Sequence, residues 1–151
     1  FYVMVDKNQK VDALSKMIRS DKNSKTLVFC RTKKTVDWLK RQLSRRGINV
    51  FAIHGDKQQN KRTNILEKYK RSFNGVLLAT DLVARGIHVD DINKVINFDF
   101  PHEKETYIHR IGRTARQGKR GRAISFCSNL MEKQRLEQTC LIHNSRIQEI
   151  Q

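Results

Sequence analysis

The sequence has no apolar run approaching the roughly 20 residues that a membrane-spanning helix needs, and no leading segment built like a signal peptide. A membrane anchor is therefore not expected, and an intracellular setting, cytoplasmic or nuclear, is. Cysteine is scarce and odd in number: Cys30, Cys127 and Cys140, without metal-ligand spacing. Cys30 and Cys127 each close an apolar run and are expected to be small buried hydrophobes in a reducing compartment. His54, His88, His102, His109 and His143 also lack metal-ligand spacing, so no metal site is expected. There is one proline, no internal repeat, no low-complexity tract and no linker, which predicts a single domain over 1–151. Acidic residues are few, 15 Asp+Glu against 31 Lys+Arg, for a formal net charge of +16. That excess favours a polyanionic partner, nucleic acid first and an anionic membrane surface second. The cations form no tail, so the charge is expected on a folded surface.

Catalytic signatures are missing too. There is no G-x-x-x-x-G-K-[ST] phosphate loop, no acidic cluster after a strand to hold magnesium, and no Ser-His-Asp or Cys-His set. These absences argue against nucleotide hydrolysis by this chain alone. The chain opens on Phe1 rather than methionine and runs straight into a strand-like segment. It is expected to be a piece of a longer protein.

What is present is alternation. Short β-branched or aromatic runs occupy Phe1–Val5, Thr26–Cys30, Val50–Ile53, Val76–Ala79, Val95–Phe98 and Ala123–Phe126. Near-continuous apolar runs of this length suit strands buried on both faces of a parallel sheet. Between them, Val11/Leu14/Ile18, Val36/Leu39/Leu43, Ile65/Leu66/Tyr69 and Tyr107/Ile108/Ile111 recur at helical spacing, with Thr32 placed to cap the second. Met131–Leu141 predicts a last helix and Arg146–Ile150 a short closing strand. Strand–helix alternation means βαβ units, an α/β fold with a mostly parallel sheet and helices on both faces. In such sheets function gathers outside the carboxyl ends of the strands.

Polar clusters sit at those ends. Thr32, with Arg31, Lys33 and Lys34, follows one strand, where a hydroxyl and helix-start amides can hold a phosphate or simply cap a helix. His54-Gly55 follows the next, with Gln59 and Arg62 beyond it; Gly55 either allows close approach of a ligand or makes a turn. Thr80-Asp81 and Ala84-Arg85-Gly86 follow the third, where Asp81 could orient neighbours or cap a helix. The densest cluster is His109 to Gly118, three arginines and a histidine within eight residues. If that run is helical, His109, Arg113 and Arg116 share a face and Arg110 points elsewhere. Planar guanidiniums on one stripe match phosphate oxygens better than lysines would; the alternative is a solvated basic face.

Taken in order, these segments resemble the C-terminal RecA-like domain of DEAD-box ATP-dependent RNA helicases. The resemblance is carried by Leu27–Thr32, His54-Gly55-Asp56 with Gln59 and Arg62, Ala79–Asp81 through Ala84–Ile87, Val95–Pro101 and His109–Gly118. Val36-Asp37-Trp38-Leu39 is similar to the translation-initiation branch. The resemblance implies a RecA-like three-layer fold. It implies that Arg113 and Arg116 reach ATP, held with Mg2+ mainly by an N-terminal domain outside this chain, with Arg116 finger-like. It places Gly86 and His88 at the nucleotide, Thr32, Gly55, Arg62 and Thr80 on the RNA backbone, and Asp81 and His109 in coupling the two domains. Such arginines are worth roughly 10³–10⁵ in rate in related phosphoryl transfers. Two residues depart from the family pattern: Ala115 stands where glycine is usual, and His88 where an aspartate normally meets the ATP ribose.

The resemblance further implies sequence-independent RNA binding by a monomer, its own N-terminal RecA-like domain as a partner, and regulatory proteins docking on this one. Three alternatives remain open. A stand-alone nucleic-acid-binding module explains the charge but leaves Arg113 and Arg116 idle. A DNA translocase would share the two-domain logic, although the pattern around Pro101 and His109 favours RNA. A protein-docking platform is compatible with the leading reading.

Overall fold

The computed structural model describes residues 1–55, 58–115 and 120–150. Six strands form one sheet: β1 (Tyr2–Met4), β2 (Thr26–Phe29), β3 (Val50–Ile53), β4 (Val76–Ala79), β5 (Lys94–Asn97) and β6 (Arg122–Cys127), in the order β1-β6-β5-β2-β4-β3. Every pairing between them is parallel, so the sheet is all-parallel where the sequence predicted only mostly parallel. Parallel pairing aligns all six carboxyl ends on one edge, and β2 at the centre lies between β5 and β4.

The helices are α1 (Lys10–Ser20), α2 (Lys33–Arg45), α3 (Gln59–Arg71), α4 (Asp81–Ala84), α5 (Lys104–Ile111) and α6 (Leu130–Ile142). Alternation along each strand divides the core. Val28, Ile96, Ile124 and Phe126 face α1 and α2 through Leu14, Val36, Leu39 and Leu43. Leu27, Phe29, Leu77 and Val95 face the other way, toward Tyr69 of α3 and Val83 and Ala84 of α4. Tyr2 and Cys127 on that second side meet Tyr107 of α5 and Leu136 and Cys140 of α6. Every residue of β2, β4 and β5 is buried, as a strand covered on both faces requires.

The caps come from expected chemistry. Thr32 Oγ1 accepts the Thr35 amide at 3.1 Å to open α2. Gly47, at φ +74°, closes it with amide bonds from Gly47 and Ile48 back to Ser44 and Leu43. Asn129 opens α6 by accepting the Glu132 amide at 2.9 Å. All three cysteines are buried. At the start of β5, Lys94 is 4 % exposed and its Nζ pairs with Asp21 at 3.2 Å.

Two sequence expectations fail. Arg146–Ile150 is not a strand; a single parallel bridge, Tyr2 to Glu149, is all that forms there. The run from His109 is helical only to Ile111. Among the described residues no helix is long and apolar enough to cross a membrane.

Candidate nucleotide and nucleic-acid interface

At the carboxyl edge the organising residue is Arg110, which the sequence placed off the functional stripe and left without a role. Tyr107 and Arg110 are three apart on α5 and both buried, so Arg110 faces the sheet. Its Nε donates to Asp81 Oδ1 and its Nη2 to Asp81 Oδ2, each at 2.7 Å. Nη1 donates to the Asp99 carbonyl at 2.7 Å and to Asn97 Oδ1 at 3.3 Å, while the guanidinium lies 5.1 Å from the Phe29 ring centroid. Asn97 Nδ2 in turn donates to Ser125 Oγ at 2.9 Å. The bidentate fork uses the geometry that only arginine offers. Asp81, which the sequence offered as an orienting group or a helix cap, is paired with Arg110, and the pair ties the start of α4 to α5.

The next residues turn rather than continue the helix. Gly112 ends α5 with its amide on Ile108 O, and the Arg113 and Thr114 amides bond back to Arg110 and Ile111. Arg113 therefore leaves the helical stripe with His109; its half-buried side chain reaches across to donate from Nη1 to Ile87 O at 3.0 Å. His109 stays exposed on the last helical turn. Together with Asp81, Ala84, Arg85, Thr106 and Arg110 they line one small recess over Phe29. Arg116 lies outside the described residues. Thr114 Oγ1 donates to Ile92 O at 2.7 Å, and Ala115 sits at φ 57°. The left-handed conformation there accounts physically for a glycine preference at that position. A methyl on Gly121 would run into Thr114 and the Ala115 amide, so the turn closes against a glycine.

A second feature lies on the same edge. Gly55, Arg62 and Gly86, three of the residues singled out from sequence, line one groove of about 360 Å³ with Gln59, Thr63 and Leu82. Arg62 is half-buried, and its Nε is buried without a hydrogen-bond partner among the described residues. A buried guanidinium N–H left unbonded is costly unless a ligand supplies the acceptor. Neither Gly55 nor Gly86 has a positive φ; among the described residues a Cβ at Gly55 would meet nothing within 4 Å and one at Gly86 only Val83 O at 3.8 Å. The fold does not require either glycine. Thr80 begins α4 without a side-chain cap bond, whereas the Thr32 hydroxyl does cap α2. His54 is buried, its Nε2 3.0 and 3.1 Å from the Asp37 carboxylate. His88 is exposed beyond Gly86.

Arg85, His109 and Arg113 line the same recess as the Asp81 carboxylate, which is paired with Arg110. Among the described residues no group of three or more His, Cys, Asp or Glu could hold a metal ion.

Known proteins match this chain in sequence and in fold. Residues 9–118 match the family described as the helicase conserved C-terminal domain. The chain is 43% identical over 127 residues to the ATP-dependent RNA helicase eIF4A of Aspergillus clavatus, covering 83% of this chain and 32% of that protein. It thus spans about a third of the length of the curated relatives it matches. Among solved structures, E. coli DEAD-box protein SrmB bound to regulator of ribonuclease activity A superimposes with a TM-score of 0.89 at 33% identity, over 99% of this chain and 88% of that one. S. cerevisiae Dbp5 bound to RNA and ADP BeF3 gives 0.88 at 30% identity, over 98% and 39%. With that fold, that sequence match and these residues on one sheet edge, the chain belongs to the helicase conserved C-terminal domain family, as the RecA-like C-terminal domain of a DEAD-box protein.

Proposed function

We propose that this domain is the C-terminal half of an ATP-dependent RNA helicase, acting on ATP and Mg2+ held by a separate N-terminal RecA-like domain. Arg113 and Arg116 are offered across the cleft to the γ-phosphate, where charge develops in the transition state, with Arg116 as the finger. Gly86 leaves room beside the nucleotide and His88 stands at the ribose. The Asp81–Arg110 pair holds α4 and α5 in register, so the closure sensed at His109 and Arg113 is transmitted to the RNA side. Thr32, Gly55, Arg62 and Thr80 take the RNA backbone, where phosphate and ribose contacts bind without reading sequence and the 2′-OH separates RNA from DNA. ATP-driven closure then strains or strips the bound RNA, unwinding short duplexes or remodelling ribonucleoprotein. Regulatory proteins dock on the same domain, a reading supported by the relatives solved with regulator of ribonuclease activity A and with Gle1.

The observation that carries this reading is the groove lined by Gly55 and Arg62, where the buried Arg62 Nε has no hydrogen-bond partner among the described residues. Fluorescence anisotropy with labelled single-stranded RNA tests it. Arg62→Ala should weaken binding across sequences and lower the salt slope by about one. Unchanged affinity and slope would remove Arg62 from the interface.

A further inference from the structure

The edge accounts for few of the chain's cations, and α2, like α3, carries five of the rest. Its thirteen residues carry Lys33, Lys34, Lys40, Arg41 and Arg45 against one carboxylate, Asp37. That carboxylate is engaged with buried His54. Lys34, Trp38, Arg41 and Arg45 fall at i, i+4, i+7 and i+11, one stripe on the face opposite Val36, Leu39 and Leu43. All four are exposed, and Trp38, 41 % exposed, is the only tryptophan in the chain. A face that merely keeps a protein soluble needs the cations but gains nothing from an uncovered indole. Cations interleaved with an open aromatic ring are what a sequence-tolerant single-strand surface requires: phosphates on the charges, a base on the ring. The stripe also begins beside the edge, because Thr32 caps the start of α2 and Lys34 lies two residues on. At 1.5 Å per residue it runs about 17 Å, room for about five stacked nucleotides at 3.4 Å each.

We infer that the outer face of α2 is a second RNA track. It takes single-stranded RNA leaving the sheet edge at Thr32, with phosphates on Lys34, Arg41 and Arg45 and a base stacked on Trp38. The inference rests on the RNA reading of the edge. An acidic protein surface is the competing occupant; the uncovered indole and the start beside Thr32 favour RNA.

The test measures binding of the 151-residue chain to two labelled oligouridylates, one of about six nucleotides that fills the edge alone and one of about fifteen that reaches along α2. The longer RNA should bind tighter and quench Trp38 emission, and the shorter should leave that emission unchanged. Replacing Lys34, Arg41 and Arg45 together by glutamine should weaken the longer RNA about tenfold or more and lower its salt slope by about two, leaving the shorter unaffected. Trp38→Ala should cost about fivefold or more on the longer RNA, and Trp38→Phe should recover most of it. If these variants bind both RNAs like the parent chain while Arg62→Ala weakens both, the edge stands and the α2 track is refuted. If Arg62→Ala also changes nothing, the edge reading fails and takes the track with it. If the triple variant keeps its RNA affinity but is no longer retained on immobilised polyglutamate, the face belongs to an acidic protein and the RNA track is overturned.

Discussion

Removing the Asp81 carboxylate strands the buried Arg110 charge. Asp81→Ala deletes two 2.7 Å charge-assisted bonds and leaves the Arg110 guanidinium, whose side chain is 3% exposed, facing its former partner's space. Breaking a buried pair by removing one side costs about 3–5 kcal/mol, because an uncompensated charge stays behind. Asp81 is itself 30% exposed, and Arg110 keeps the Asp99 carbonyl and Asn97, so the lower end applies, about 3 kcal/mol. For a chain of this length that corresponds to a fall in Tm of about 6–12 °C. Thermal unfolding followed by circular dichroism reads it directly. The double variant Asp81→Ala/Arg110→Met removes the stranded charge and should be less destabilised than Asp81→Ala alone, giving a coupling of about 1–3 kcal/mol. A loss below about 1 kcal/mol for Asp81→Ala, or strict additivity in the cycle, would mean the pair is not the organiser of this edge.

Ala115→Gly should stabilise the chain by about 0.5 kcal/mol, relief of the left-handed strain outweighing the added chain entropy; a lower Tm would contradict the φ-based argument. Asp21 is held below its ordinary carboxylate range by the Ser24 hydroxyl, and then by Lys94. Its contribution is therefore present above the unfolded value near pH 4 and lost as pH falls through the depressed folded value, so Asp21→Asn should flatten the acid limb of the stability curve, and an unaltered limb would refute the assignment. The cysteines should alkylate slowly in the native chain at pH 8 and rapidly in denaturant. Burial pushes the Cys127 thiol up to about 12, and the Cys30 thiol is also pushed well up by burial; fast native labelling at either would contradict the packing.

The core was legible because it is periodic. Val76–Ala79 reads as a strand buried on both sides and is one, and Val36, Leu39 and Leu43 mark the face of α2 that packs on the sheet. Gly55, Arg62 and Gly86, picked out by motif for two different ligands, line one groove. The arginine stripe was misread in part. The spacing of His109 and Arg113 imitates a helix, but Gly112 stops it and a left-handed residue follows, so the turn, not the helix, aims Arg113. Arg110 escaped notice because its partner lies 29 residues away and charged residues read as surface; its spacing from Tyr107 was the available signal. The four-residue α4 is too short to leave a period. The alternation at Arg146–Ile150 lacked a long neighbour, since β1 offers three residues.

The central claim is that this domain supplies cationic side chains to a nucleotide bound elsewhere in the whole protein. Single-turnover ATP hydrolysis by the full-length protein with saturating RNA tests it most directly, comparing the parent with Arg116→Ala and Arg113→Lys. Arg116→Ala should lose about 10³-fold or more and Arg113→Lys should lose rate clearly, with nucleotide-free RNA affinity unchanged in both. Parental rates in both variants would contradict the claim and leave the arginines as a solvated face.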